Sequence, residues 1–249
     1  MVKKRARETD DYAEQAFLEG YRPGAFPRPS VTVDLVIFTV RDRVLSTLLV
    51  RRGEHPFKGR WALPGGFVRV SDDRLDQGES LDDAAHRELA EETGLDAERA
   101  GKVRLEQVGA FGAPGRDPRM RVISVAYCAL LRPTLAPLVR AGGDVDAARW
   151  YPLDELPPLA FDHATILDRA LAHVRARLES SPIAFELVPE TFTIAELRTV
   201  HELVYGQSLD PGNFRKRFLR MVEEGVLEKA RGSRATASKP ASVYRFVRT

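Results

Sequence analysis

GGFVRVSDDRLDQGESLDDAAHRELAEETGL, Gly65 to Leu95, decides how the rest of the chain is read. In its second half Ser80 and Asp83 are spaced to cap a helix start, and Gly94 stands where a helix should stop. Leu81, Ala85 and Leu89 recur every four residues and give one apolar stripe to bury. Glu88, Glu91 and Glu92, at i, i+3 and i+4, put three carboxylates on the adjoining face. Charges of one sign so close together repel, and a hard divalent cation such as Mg²⁺ or Mn²⁺ relieves this through oxygen ligands. A solvated acidic face would also carry three glutamates. The glycine pair ahead of the helix, with Arg87 and Gly94 in register, favours a site, and Arg87 is in reach of Glu79 to brace the preceding loop.

Outward from this stretch, VTVDLVIFTV (31–40) alternates and is rich in β-branched residues, as a strand should be. Asp42-Arg43 predicts a turn into a second strand, VLSTLLVRR (44–52). WALPGGFV (61–68) is a short strand ending in glycines, and VRLEQVGAFGAP (103–114) and RVISVAYCALL (121–131) are two more. The span 150–180 runs from a Pro-rich turn into a long helix with a Leu/Ala face. DDYAEQAFLEGY (10–21) predicts a short helix behind a basic tail.

After Ser180 the pattern changes. TIAELRTVHELVYG (193–206) opens on a capping box, Thr193 with Glu196, and DPGNFRKRFLRMVEEG (210–225) offers Asp210 as N-cap, Pro211 at the first helical position and Gly225 at the end. VLEKARG (226–232) and ASVYRFV (241–247) follow as two strands. Helix, turn, helix and basic hairpin outline a winged helix-turn-helix. Three parts result: a basic tail with a short helix, 1–27; a larger domain, 28–180; and the small winged domain, 181–249.

The net charge of +2 is unevenly spread. From residue 211 on there are ten Lys/Arg against three Glu, so that segment carries +7 and residues 1–210 carry −5. A basic end on an acidic body points to a polyanion partner for that end alone. Phe214, Phe218, Met221 and Val222 share one face of the second C-terminal helix, so Asn213, Arg215, Lys216, Arg217 and Arg220 are the candidate DNA contacts there. Arg231, Arg234 and Lys239 in the hairpin suit phosphate contacts. A small winged module can instead bind protein. The chain has no apolar run long enough to span a bilayer and no signal-peptide h-region. With a single cysteine, Cys128, expected as a small core residue, it fits a reducing, cytoplasmic setting.

RELAEETGL, Arg87 to Leu95, resembles the second half of the Nudix box, G-x5-E-x7-R-E-U-x-E-E-x-G-U with U a bulky aliphatic residue, and Glu79 has the required spacing from Arg87. The resemblance implies an α+β Nudix fold, a mixed sheet sandwiched by helices. By position it makes Glu88, Glu91 and Glu92 metal carboxylates, the Gly66 carbonyl a further ligand, and Glu79 with Arg87 a bracing pair. The catalytic set would be Glu79, Arg87, Glu91 and Glu92, with metal activating water against a pyrophosphate. One departure stands out: residues 67–78, twelve positions, separate Gly66 from Glu79 where the box has five. Ser71 to Gln77 accounts for the excess. Such an insert is cheap in loop closure, but it is expected to misplace the Gly66 carbonyl and the attacking water, leaving hydrolysis weak or absent.

Over nearly the whole chain after Pro27, FKGRWALPGGFV, RDPRMRVISVAY, SPIAFELVPE and FTIAELRTVHELVYGQSLDPGNFRKR are similar to the Nudix-related transcriptional regulators of NAD metabolism, the NrtR family. That resemblance implies a homodimer on a palindromic operator whose Nudix domain senses ADP-ribose or a related nucleotide. Arg51, Arg60, Arg116, Arg119 and Arg121 are then candidate pyrophosphate or ribose contacts. Asp162 and His163 are expected as a helix-start feature. The rival expectation is a Mg²⁺-dependent ADP-ribose pyrophosphatase, or a protein with both activities.

Overall fold

The computed structural model describes residues 12–71, 77–95, 97–136, 139, 145–178, 181–235 and 239–247. Residues 12–20 form helix α1. Strands β1 (Ser30–Arg41), β2 (Val44–Arg52), β3 (Trp61–Ala62) and β4 (Gly65–Phe67) lead to helices α2 (Leu81–Thr93) and α3 (Ala97–Lys102). Strands β5 (Leu105–Phe111), β6 (Val122–Leu130) and β7 (Val145–Pro152) precede α4 (His163–Arg177). A 3-10 turn, Pro182–Leu187, introduces α5 (Ile194–Tyr205), α6 (Pro211–Glu223), β8 (Leu227–Arg234) and β9 (Ala241–Phe246).

β1 lies at the centre of a seven-stranded sheet, ordered β3-β2-β1-β6-β5, with β4 added to β1 and β7 to β2. β1 and β2 form the expected hairpin, turned by Asp42 and Arg43, both at positive φ. β6 runs parallel to β1, from Ser30 beside Val122 to Phe38 beside Leu130, while the other pairings are antiparallel. The sheet is therefore mixed. Its strict alternation sorts side chains to two faces. Val33, Leu35 and Ile37 of β1 and Val125, Tyr127 and Ala129 of β6 pack under Ala84, Ala85 and Leu89 of α2. Val36 and Phe38, with Ala126 and Cys128, face Ile166, Leu167 and Ala170 of α4. Cys128 is the buried core residue expected, its thiol pushed up in pKa by desolvation.

β7 and α3 were not anticipated. VDAARWYP offers only Val145 and two alanines as apolar residues before Trp150, so its alternation is faint, and six residues are too few to show helical periodicity. The C-terminal unit is the winged helix-turn-helix expected. Its capping box is complete: Thr193 N–H donates to the Glu196 carboxylate at 2.7 Å and Glu196 N–H to Thr193 Oγ1 at 3.2 Å. Asp210 caps α6 through the Asn213 N–H, and β8 pairs with β9 as the wing. The junction expected at Ser180 lies outside the described residues. Leu197, Val200, Phe214 and Phe218 continue the apolar layer under α4, and Arg175 Nε of α4 donates to the Val204 carbonyl of α5 at 2.7 Å. No helix among the described residues is long and apolar enough to cross a membrane.

Candidate functional site

Ser80 accepts from the Asp83 N–H and Gly94 closes α2 in the left-handed conformation, so helix limits and caps fall where spacing placed them. Arg87 grips Glu79 with two hydrogen bonds, 2.9 and 2.5 Å, and reaches Glu88 at 2.6 Å and Glu91 at 3.0 Å. The Arg87 hydrogen bond holds the Glu79 carboxyl down to about 2 against the opposing effect of burial. The glycine pair is sterically required. A Cβ on Gly65 would lie 2.1 Å from the Val33 carbonyl, and one on Gly66 would lie 2.2 Å from Glu88 Oε1. β4 can approach both β1 and α2 only because both side chains are hydrogen.

The insert behaves differently from expectation. Val70 bridges Gly78 in antiparallel fashion, Ser71 N–H donates to the Gln77 carbonyl, and Glu79 N–H donates to Arg69 O. These bonds pinch the excursion shut at its base, so Gly66 still lies against Glu88 and Glu79 still reaches Arg87. The acids Asp72, Asp73 and Asp76 lie outside the described residues. Displacement of the box by the insert is thus corrected: hairpin pairing absorbs the extra length.

The carboxylates themselves are committed to the protein. Glu91 is held by Arg69 at 2.9 Å as well as by Arg87, and Glu92 accepts the Gly65 N–H at 3.0 Å. Burial, then the neighbouring Glu88 carboxylate, pushes Glu92 up to about 8, and burial also raises Glu88. Carboxylate oxygens suit Mg²⁺ or Mn²⁺ chemically. In this arrangement they turn to Arg87, Arg69 and a backbone amide, and no group of three acidic, His or Cys side chains among the described residues is placed to hold a metal ion.

Beside β4 opens a cavity of about 190 Å³ bordered by Asp34, Arg52, Gly66, Phe67, Arg116 and Arg119, with His163 in its wall. Of the five arginines expected to meet ligand, Arg116 and Arg119 border it, while Arg51, Arg60 and Arg121 do not. Arg51 lost its place to Arg52 by strand alternation: neighbours on β2 point to opposite faces. Arg52 stacks on Phe161, and Arg119 lies 5.3 Å from the Phe67 ring centroid while pairing with Asp117 at 2.7 Å. Arg116 is almost wholly buried, donating to Asp162 at 2.7 and 3.0 Å and to Asp34 at 3.3 Å. Ser124 Oγ donates to Asp34, and His163 accepts the Leu63 N–H on Nδ1 at 2.8 Å. Asp162 and His163 do start α4, as expected, but the Asp162 side chain makes no capping bond and is spent on Arg116 instead. Burial lowers the His163 pKa, keeping the ring neutral. Asp34 had been overlooked, although a lone acid inside VTVDLVIF signals a buried charge that must find partners.

The basic helix α6 has two faces. Asn213, Arg215, Lys216 and Arg220 are exposed, and Arg231 and Lys239 are exposed in the wing. Arg217 instead borders the seam with α5. Arg234 is spent on the protein: it pairs with Glu196 at 2.5 Å and donates to the Thr191 carbonyl, tying the wing to the start of α5.

With this geometry in hand, comparison with known proteins is unambiguous. Residues 28–171 match the NUDIX domain, and residues 184–246 match the NrtR DNA-binding winged helix domain. The chain belongs to the NrtR family. It is 36% identical over 236 residues, 94% of this chain and 88% of the relative, to the ADPR responsive transcriptional repressor NtrR of Acinetobacter baylyi. A crystal structure of Shewanella oneidensis NrtR complexed with a 27mer DNA matches with TM-score 0.68 and 31% identity, covering 87% of this chain and 93% of that one. The NUDIX domain of the same Shewanella NrtR, complexed with ADP ribose, matches with TM-score 0.51 and 34% identity, covering 65% of this chain and 98% of that one. The NrtR arrangement, a Nudix fold followed by a winged helix, is the architecture of this chain.

Proposed function

We propose that this protein is a cytoplasmic, homodimeric transcriptional repressor that binds a palindromic operator through α6 and the wing and releases it when ADP-ribose or a related nucleotide enters the cavity beside β4. The observation that carries this is the basic face of α6. Asn213, Arg215, Lys216 and Arg220 are exposed, and none is paired with an acid among the described residues. Arg and Asn side chains at the start of a recognition helix make bidentate contacts to base edges. Arg231 and Lys239 supply backbone contacts from the wing, whereas Arg234 acts by holding the wing in place.

In the Nudix domain Arg52 and Arg119 offer guanidinium to a pyrophosphate, and Phe67 and Phe161 offer flat apolar surface to a base or sugar. Because the acids of α2 are satisfied by Arg87, Arg69 and Gly65, the site binds without fast hydrolysis. The hindrance lies in the internal pairing of those carboxylates rather than in the insert. α4 links the two sites. At its start Asp162 holds the cavity's Arg116 and His163 lines the cavity wall, and Arg175 near its end is bonded to α5. An effector acts only through unequal affinity for the free and DNA-bound conformations, and the effect is reciprocal. Calorimetric titration of ADP-ribose with and without operator DNA tests this: the operator must weaken ADP-ribose by the factor by which ADP-ribose weakens the operator. Equal affinities in the two titrations would discard ADP-ribose as effector. Brisk release of AMP and ribose-5-phosphate, lost in Glu91→Gln, would give the enzyme reading precedence.

A further inference from the structure

A cavity of about 480 Å³ lies between the end of α4, the turn Pro182–Leu187, α5, α6 and the end of β9, on a different part of the molecule from the one beside β4. Protein interiors pack with few voids larger than a water, so a space of this size at a helical seam is of ligand dimensions. Its walls are apolar: Phe185 and Phe246 stack at 4.7 Å and 20°, with Leu197 and Met221 beside them.

Two polar groups in this cavity lack protein partners. His201 is 3% exposed, and its Nδ1 is buried with no hydrogen bond. Burial, with the nearby Arg217 charge second, holds its pKa down to about 4, so the imidazole is neutral. Arg217 makes no ion pair or hydrogen bond among the described residues, and unlike the exposed Arg215 and Arg220 it is half-buried, at the cavity. A buried polar atom left unpaired destabilises the fold, and such a group asks for a reason.

Arg217 and Met221 of α6 and its C-cap Glu224 stand at i, i+4 and i+7, so their Cα atoms span about 10 Å along the helix and all three border the cavity. Arg217 attracts an anion and Met221 adds apolar surface. Glu224 repels a second acid.

We propose that this cavity is a second ligand site, taking a small apolar monocarboxylate whose acid group meets Arg217 beside His201 and whose body lies over Met221 and the Phe185–Phe246 stack. A ligand there joins Leu178 of the Nudix side and the Pro182–Leu187 turn to the helix whose opposite face carries Arg215 and Lys216. Its occupancy therefore sets how the reading helix sits on the body, independently of the nucleotide cavity.

The three methionines, Met1, Met120 and Met221, allow a direct test on the full chain. With ¹³C-methyl methionine labelling, 3-phenylpropionate is titrated in and compared with its neutral amide and with the diacid 3-(4-carboxyphenyl)propionate, whose second carboxylate stands across the ring from the first. The acid is expected to shift the Met221 signal and leave Met120, which lies against Ser30 on the other domain, in place. The amide and the diacid should bind at least about tenfold more weakly, and Arg217→Gln should bring the acid down to the level of the amide. No Met221 shift by about 10 mM acid overturns the proposal, since even weak fragment sites respond there. Equal affinity of acid and amide for the wild type also overturns it, showing only an apolar hole, and this comparison needs no variant to fold.

Discussion

The two charged regions of this protein are built on opposite plans. Around the cavity beside β4 and on the adjoining α2, buried charges are answered by neighbours: Arg87 by Glu79, Arg116 by Asp162 and Asp34, Arg119 by Asp117. On α6, Arg215, Lys216 and Arg220 face solvent without acids. The difference follows from burial. A desolvated ion must be paired, and pairing fixes its geometry, which suits recognition of one small molecule of defined shape. A solvated cation keeps its long-range field and its rotamer freedom, which suits a phosphate backbone met by diffusion and makes binding salt-dependent.

The buried network should suffer most when broken. Arg116→Ala leaves Asp34 and Asp162 without their common partner, and a loss of about 3–5 kcal/mol in unfolding free energy is expected from denaturant titration. A loss under 1 kcal/mol would mean that solvent already screens the network. Arg215→Ala touches nothing buried. It should weaken specific operator binding by roughly 1–3 kcal/mol, read by fluorescence anisotropy, while leaving stability and ADP-ribose affinity unchanged. If it lowers binding to unrelated DNA equally, Arg215 is a phosphate contact and the base-reading role passes to a neighbour.

Glu92 carries the comparison into pH. An acid whose folded pKa is raised to about 8 reduces stability progressively as pH rises from the unfolded value near 4.5 to about 8, and contributes nothing below that window. Glu92→Gln keeps an acceptor for the Gly65 N–H and removes the titration. It should raise the melting temperature at pH 8 by a few degrees, on the scale of roughly 2–4 °C per kcal/mol, and change it little near pH 4.5. If Mg²⁺ flattens the wild-type pH profile, the carboxylates do accept a cation and the metal-free account of the site fails. Arg175→Ala is expected to leave each binding affinity within about threefold but to shrink the coupling between them, since coupling energies of 1–3 kcal/mol rest on the contact between α4 and α5. Deletion of Ser71 to Gln77 should do least, shifting ADP-ribose affinity by about twofold or less, because the loop is already closed at Val70 and Gly78.

Local chemistry was legible in the linear order of residues. Caps at Ser80, Gly94, Thr193 and Asp210, the glycine pair before α2, the Glu79–Arg87 brace and the hairpin turn at Asp42-Arg43 all depend on partners a few residues away or on a pattern of fixed spacing. The succession of a Nudix fold and a winged helix was legible for the same reason, since each has its own periodicity and charge.

What only the tertiary structure decided is which charges meet across long stretches of chain. Arg116 finds Asp34 and Asp162 at sequence separations of 82 and 46, and Arg234 finds Glu196 at 38. No spacing rule reaches so far, because those distances are set by how β1 and α4 stack in the first case and β8 and α5 in the second, not by the intervening residues. The same holds for Arg52 replacing Arg51 in the cavity and for Arg217 turning to the seam with α5. A strand or a helix specifies which residues share a face. The packing of the whole molecule decides what that face looks upon.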